Sequence, residues 1–260
     1  MNGVSFERHR DELVAQTNAV REMARGADLR AAVPSCPGWN LGQLLGHIGG
    51  DHHWAAEVVR TRATGPVPDE MVNDLAEYRE TDHETLDRWL AEGAAELADA
   101  LRDAAPETPV WSPSEDHSAG FWARRMLYET AVHRADVALT IGAEFTLAAD
   151  LAVDALDEWM GYSVYEEATS EPGLIGPGRT LHFHATDSAE PAEWVVDLST
   201  EPATWRRAHE KSAVAVRGAL TDLLLFVYRR PGFRDRVDVS GDEALLDLWL
   251  ERAGFWLEAE

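Results

Sequence analysis

His47 lies in a segment with helical periodicity, and Glu129 and His133 stand four residues apart in another. A four-residue step is about one helical turn, so Glu129 and His133 share a face and their side chains can converge on one ion. His47 must then come from a facing helix, because a long stretch of chain separates the two segments. Two imidazoles and one carboxylate leave a vertex of a zinc-type sphere for water or a substrate atom, which is the arrangement of catalytic rather than structural zinc. The same donors also suit iron, nickel or manganese. A Glu-x-x-x-His pair alone is more often a salt bridge, and a lone histidine on an apolar face is more often a satisfied core residue. The surroundings add weight here: Trp122, Met126 and Val137 share the stripe, and a carboxylate buried among them is costly without a partner.

The elements that must position these residues are helices. Ser5 can cap a first helix running to about Arg25, with Leu13, Thr17, Val20 and Met23 on one stripe and Gly26 as its stop. After the stiff turn Pro34-Ser35-Cys36-Pro37-Gly38-Trp39, Asn40 and Gln43 form a capping box for the helix that carries His47 and continues to about Arg62. Gly46, Gly49 and Gly50 are costly inside it, so close packing or close ligand approach is expected there. A third helix is expected from a Thr81 to Glu84 capping box, with Leu86, Leu90, Leu97 and Leu101 facing inward to about Ala104. A fourth runs from near Ser118 to Ile141, stops at Gly142 and carries Glu129 and His133. A further helix, from about Asp150 to Tyr165, closes the region.

Several polar residues lie near this pattern. Asp51, one turn after His47, can accept a hydrogen bond that fixes its imidazole tautomer or serve as a weak extra ligand; the alternative is a solvent-facing side chain. His52 and His53 point about 140° and 120° round the helix from His47, so they should not share its ion. Cys36 reads as a small packed residue, with a reactive thiol as the alternative. Trp39, Trp54 and Trp122 can wall a pocket or simply fill a helical core.

The bulk properties exclude whole classes of function. The chain has 260 residues, 45% of them hydrophobic, enough for one large or two modest domains. Its 47 acidic residues outnumber its 23 lysines and arginines, giving a net charge of -24 that opposes nucleic-acid or anionic-membrane binding. Cys36 is the sole cysteine, which rules out an intrachain disulfide framework and a cysteine-based zinc cage and fits a reducing cytoplasm. We expect no signal peptide and no membrane span, because no sufficiently long apolar run occurs.

The composition changes at Glu171 to Thr180, which is rich in Gly and Pro and reads as a linker. Beyond it, TLHFHATD, EWVVDLST, ATWRRAHE and SAVAVRG read as strands, ALTDLLLFVYRR as a helix, RVDVSGD as a short strand and turn, and EALLDLWLERAGF as a last helix. The expectation is an α+β chain with a helical domain over residues 1–170 and a small α+β domain over residues 171–260. His182 and His184 alternate with Leu181 and Phe183 and are expected on the solvent face of a strand.

The runs VPSCPGWNLGQLLGHIGGDHHWAAEVV and ARRMLYETAVHRADV, with GPGRTLHFHATD, AVAVRGALTDLLLFVYRR and SGDEALLDLWL, resemble the mycothiol-dependent maleylpyruvate isomerase family across nearly the whole chain. The resemblance implies a DinB-like four-helix bundle followed by a small α+β domain similar to a sterol-carrier fold. It places the metal ligands at His47, Glu129 and His133, and it implies a divalent metal and mycothiol as cofactors. The metal expected first is zinc, with nickel or iron as alternatives. The implied partners are a small-molecule thiol and an electrophilic or unsaturated acid, with the chain a monomer or homodimer.

A thiol coordinated to such an ion is deprotonated and becomes a nucleophile at neutral pH. Addition of a thiolate to an electron-poor cis double bond, rotation and elimination would isomerise it, whereas attack with retention of sulfur would be thiol transfer. Arg124, Arg125, Arg217, Arg229 and Arg230 are candidates for binding substrate carboxylates. A non-catalytic metal or small-ligand binding protein and a metal-dependent hydrolase are the alternative readings.

Overall fold

Local capping chemistry sets the helices of the first half. In the computed structural model, which describes residues 3–69, 72, 74–170 and 173–254, α1 (Phe6–Ala24) begins at Ser5, whose hydroxyl accepts from the Arg8 N–H. Helix α2 (Leu41–Thr61) begins at the expected capping box, in which Asn40 and Gln43 satisfy each other's backbone N–H groups. Helix α3 (His83–Arg102) starts one residue away from the expected cap: Asp82, not Thr81, accepts from the Thr85 N–H. The Thr81 hydroxyl is engaged elsewhere, donating to the Glu77 carbonyl of the short 3-10 turn Glu77–Glu80. Helix α4 (Ala119–Ile141) is capped by Ser118 and ends at Gly142, which supplies the left-handed φ of 71°.

These four helices form a bundle in which α2 packs on α3 and α4, and α1 packs on α3 and α4. One part of its core joins Val20, Leu41, Leu44, Leu45, Ile48, Leu86, Leu90 and Val137, all essentially buried. The glycines of α2 serve close packing. A Cβ at Gly46 would stand 2.2 Å from Cγ of Tyr78, and one at Gly49 would stand 2.1 Å from Cδ1 of Trp89. The Trp89 indole N–H also donates to the Gly46 carbonyl at 3.0 Å.

The chain divides into two compact units, residues 1–145 and 146–260. The division comes earlier than the change of composition suggests. Helix α5 (Ala149–Tyr162) packs on α7 (Leu220–Val227) of the second unit, where Trp159 and Tyr228 meet at 4.5 Å between ring centres. A single turn, α6 (Glu166–Thr169), follows. Glu171 and Pro172 of the expected linker, and Phe255 of the expected last helix, lie outside the described residues.

The second unit holds a five-stranded mixed sheet in the order β3-β2-β1-β4-β5. Its strands are β1 (Thr180–Ala185), β2 (Glu193–Asp197), β3 (Thr204–Arg206), β4 (Val214–Gly218) and β5 (Asp238–Gly241). Only β1 and β4 pair in parallel. In the β1 and β2 register Phe183 faces Trp194 and His184 faces Glu193, so the strands alternate between an apolar and a polar face. The apolar face, with Leu181, Phe183, Trp194, Val196, Val214 and Val216 buried, is covered by helices, including Trp249 of α8 (Glu243–Ala253) 5.0 Å from Phe183. No helix among the described residues is long and apolar enough to cross a membrane.

Candidate metal centre

Helices α2 and α4 bring the three sequence-predicted ligands together. One donor atom from each of His47, Glu129 and His133 lies within 4.8 Å of the other two, and all three residues are buried. The two imidazoles meet edge to face, 5.1 Å between centres and 88° between planes.

Each donor is held from behind. His47 Nδ1 lies 3.2 Å from the Val72 carbonyl, an acceptor only, so Nδ1 carries the proton and Nε2 presents its lone pair inward. His133 Nδ1 lies 2.8 Å from Asp136 Oδ2. Glu129 Oε2 accepts from the buried Arg125 guanidinium at 2.5 Å, leaving Oε1 for the centre. A carboxylate or backbone carbonyl behind each imidazole is the kind of contact that orients a metal-ligating histidine.

The inward atoms lack partners. Among the described residues, Nε2 of His47 and Nε2 of His133 make no hydrogen bond. Glu129 Oε1 lies 2.8 Å from His133 Nε2, an ion-pair distance when that ring is protonated. Two buried imidazole nitrogens and a carboxylate oxygen facing one point, without hydrogen bonds to each other, fit a divalent cation.

Electrostatics agree. Burial opposes ionisation of Glu129, yet Arg125 and the two histidines outweigh it and hold its carboxyl well below the usual range. Burial likewise disfavours a charged His133, but Asp136, Cys36 and Glu129 outweigh it and hold the ring's proton affinity well above histidine's ordinary value. Positive charge is therefore favoured at this spot, and an ion taking it would displace a proton.

The neighbours sort as follows. Asp51 is buried, not solvent-facing, with Oδ2 3.4 Å from His47 Nε2, and its pKa is pushed up to about 6, foremost by burial. His52 turns away as its helical angle requires, with Nε2 2.8 Å from the Thr130 hydroxyl. That hydroxyl donates its own hydrogen to the Met126 carbonyl, so His52 must donate from Nε2. His53 stacks on Trp89 at 3.9 Å. Cys36 is half-buried and packs against the bundle core, as a small packed residue would, with its sulfur 3.9 Å from Asp136 Oδ2.

Trp39 packs edge-on against His47 at 5.0 Å, whereas Trp54 and Trp122 pair with each other at 5.1 Å. Of the candidate arginines, Arg125 is committed to Glu129, and Arg230 donates to the Tyr228 carbonyl. His182, expected on a solvent face, is instead buried, with Nε2 2.8 Å from Glu193. Cross-strand pairing and the segment after β3 cover it.

Sequence reasoning missed the backing residues. Asp136 had a readable signal, since it follows His133 by three positions on the same helix face, and Arg125 precedes Glu129 by four. The Val72 carbonyl had none, because a backbone acceptor leaves no residue signature.

Residues 10–138 match the family description "Mycothiol maleylpyruvate isomerase N-terminal domain", and residues 150–248 match the C-terminal domain of the same family. The chain belongs to the mycothiol maleylpyruvate isomerase family. Crystal structures of the mycothiol-dependent maleylpyruvate isomerase, and of a histidine-to-alanine mutant of it, share the fold with a TM-score of 0.62 at 17% identity, covering 92% of this chain and 96% of theirs. No curated protein sequence matches the chain. By family the chain is an enzyme.

Proposed function

We propose that the protein is a metal-dependent enzyme that activates mycothiol as a thiolate, either for cis-trans isomerisation of a maleylpyruvate-type acid or for thiol transfer to an electrophile. The observation that carries this reading is the buried trio His47, Glu129 and His133, whose two unpartnered Nε2 atoms face a carboxylate oxygen in a chain of this family. His47, Glu129 and His133 would hold the ion, zinc in the first instance. When bound, the ion supplies the Lewis acidity that deprotonates a coordinating thiol at neutral pH.

The chain's own residues do the positioning. The Val72 carbonyl and Asp136 fix both imidazoles with Nε2 inward, and Arg125 keeps Glu129 ionised and aimed. Burial of the trio, with Trp39 against His47, keeps bulk water from the donors and strengthens every charge interaction there. In this reading Asp51, whose pKa burial raises and whose Oδ2 lies 3.4 Å from His47 Nε2, would take the proton of an incoming thiol.

After metal-replete expression, His47→Ala should hold one equivalent of metal per chain less than wild type, and wild type with mycothiol should convert maleylpyruvate or conjugate the thiol to an electrophile. Unchanged metal content in His47→Ala would sink the ligand assignment. Binding of mycothiol without turnover of any electrophile would sink the catalytic one.

A further inference from the structure

A second cluster of metal-ligating side chains lies on the polar face of the sheet, in the unit that contains none of the bundle ligands. The β1 and β2 register sets His184 opposite Glu193, with His182 two residues along on the same face. His209 arrives from residues 207–213, which form no regular element between β3 and β4. Three imidazole nitrogens converge on one oxygen: Glu193 Oε2 lies 2.6 Å from His209 Nδ1, 2.8 Å from His182 Nε2 and 3.8 Å from His184 Nδ1. The three rings stand 5.4 to 6.2 Å apart between centres.

Two of these contacts are hydrogen bonds that occupy the oxygen's two lone pairs, and His184 Nδ1 stands beyond hydrogen-bond reach. Ligands about 2.0 to 2.1 Å from a tetrahedral ion are about 3.3 Å from each other, and the observed spacings straddle that value. We propose that His182, Glu193 and His209, whose donor atoms all lie within 4.8 Å of one another, form a second divalent-metal site with His184 beside it. Two imidazole nitrogens and one carboxylate oxygen select a d-block ion such as zinc, copper(II) or nickel over magnesium or calcium.

The site is built to different degrees. The side chains of His182 and Glu193 are 8% and 14% exposed and stand on paired strands, whereas that of His209 is 76% exposed. The strand residues form a prepared half-site, and His209 closes it, so the ion would clasp residues 207–213 onto the sheet. Arg217, opposite His184 on β4, is the cationic neighbour that limits affinity, and it is itself paired in register with Asp238 of β5.

Lys211 makes the clasp measurable. It is exposed, lies inside the clasped segment and is the only lysine in the chain, so a lysine-specific protease cuts there alone. In full-length protein, zinc at ten times its Kd for this site should slow that cleavage about tenfold in wild type. Zinc should have no effect on cleavage in His209→Ala or His182→Ala. In a titration of metal-depleted protein, His182→Ala/His209→Ala should take up one equivalent less than wild type.

In a His47→Ala/His133→Ala background, bound copper(II) should show imidazole nitrogen couplings that disappear when His182 and His209 are also replaced. Equal uptake by wild type and His182→Ala/His209→Ala, or cleavage at Lys211 indifferent to zinc in wild type, overturns the proposal. These readouts do not depend on the bundle centre: if that centre holds no metal, wild type still binds one equivalent and His182→Ala/His209→Ala binds none.

Discussion

Gly46→Ala sets two known effects against each other, and the packing decides the sign. In an open helix the substitution stabilises by about 0.5–1 kcal/mol through backbone entropy. Here the added methyl would stand 2.2, 2.5 and 2.6 Å from three carbons of the Tyr78 ring, where ordinary contact is about 3.5 Å or more. The contacts are at the root of the ring, so the aromatic must retreat by about an ångström, which costs about 1–3 kcal/mol as overpacking. The net expectation is a loss of about 1–2 kcal/mol from the bundle, or roughly 2–4 °C in Tm per kcal/mol for a unit of this size.

Urea titration followed by circular dichroism would measure the change, with Tyr78→Ala as the reference background. Once the ring is gone, alanine at position 46 should stabilise by its usual half to one kcal/mol. A single Gly46→Ala variant more stable than wild type would refute the reasoning. Because Tyr78 and Val72 belong to the same connection between α2 and α3, the variant should also loosen the Val72 contact that holds the neighbouring His47, weakening metal binding.

Two further outcomes follow from buried groups. His52 has its pKa lowered from 6.5 to about 3, chiefly by burial, so the unfolded chain takes up a proton below pH 6.5 that the folded chain refuses. The stability present above that pH is therefore lost progressively as pH falls towards 3. Wild type should lose about 1.4 kcal/mol per pH unit relative to His52→Gln over this window, and parallel stability curves would contradict it. Asp136→Asn keeps an acceptor for His133 Nδ1 but removes its charge, so affinity at the bundle centre should fall about tenfold in chelator competition. An unchanged affinity would remove Asp136 from the site's support.

Capping and periodicity made the bundle legible. Asn40 with Gln43, Ser118 and Gly142 act as their residue types indicate, and the Glu129 and His133 spacing shows on one helix face. Gly46 and Gly49 pointed to close packing, but only the fold reveals that Tyr78 and Trp89 fill the space. What could not be read depends on contacts distant in sequence. His182 looked solvent-facing because strand alternation says nothing about what a following loop lays over a strand, and Glu193 and His209 cover it. The attachment of α5 was equally hidden, since an amphipathic helix between two units carries no mark of which one it joins. The composition change at Glu171 follows a run of Gly and Pro, whereas the division in space follows packing.

The division of the chain at residues 145 and 146 bears on descent as well as on folding. Every donor of the candidate centre, and every residue that holds a donor from behind, falls within residues 1–145. A gene that exchanged, shortened or duplicated the segment encoding the sheet would pass on the ligand set untouched. The two halves can therefore accumulate changes at different rates, the bundle constrained at its buried polar residues and the sheet at His182, Glu193 and His209. Comparing substitution rates across that boundary among relatives would read this history directly.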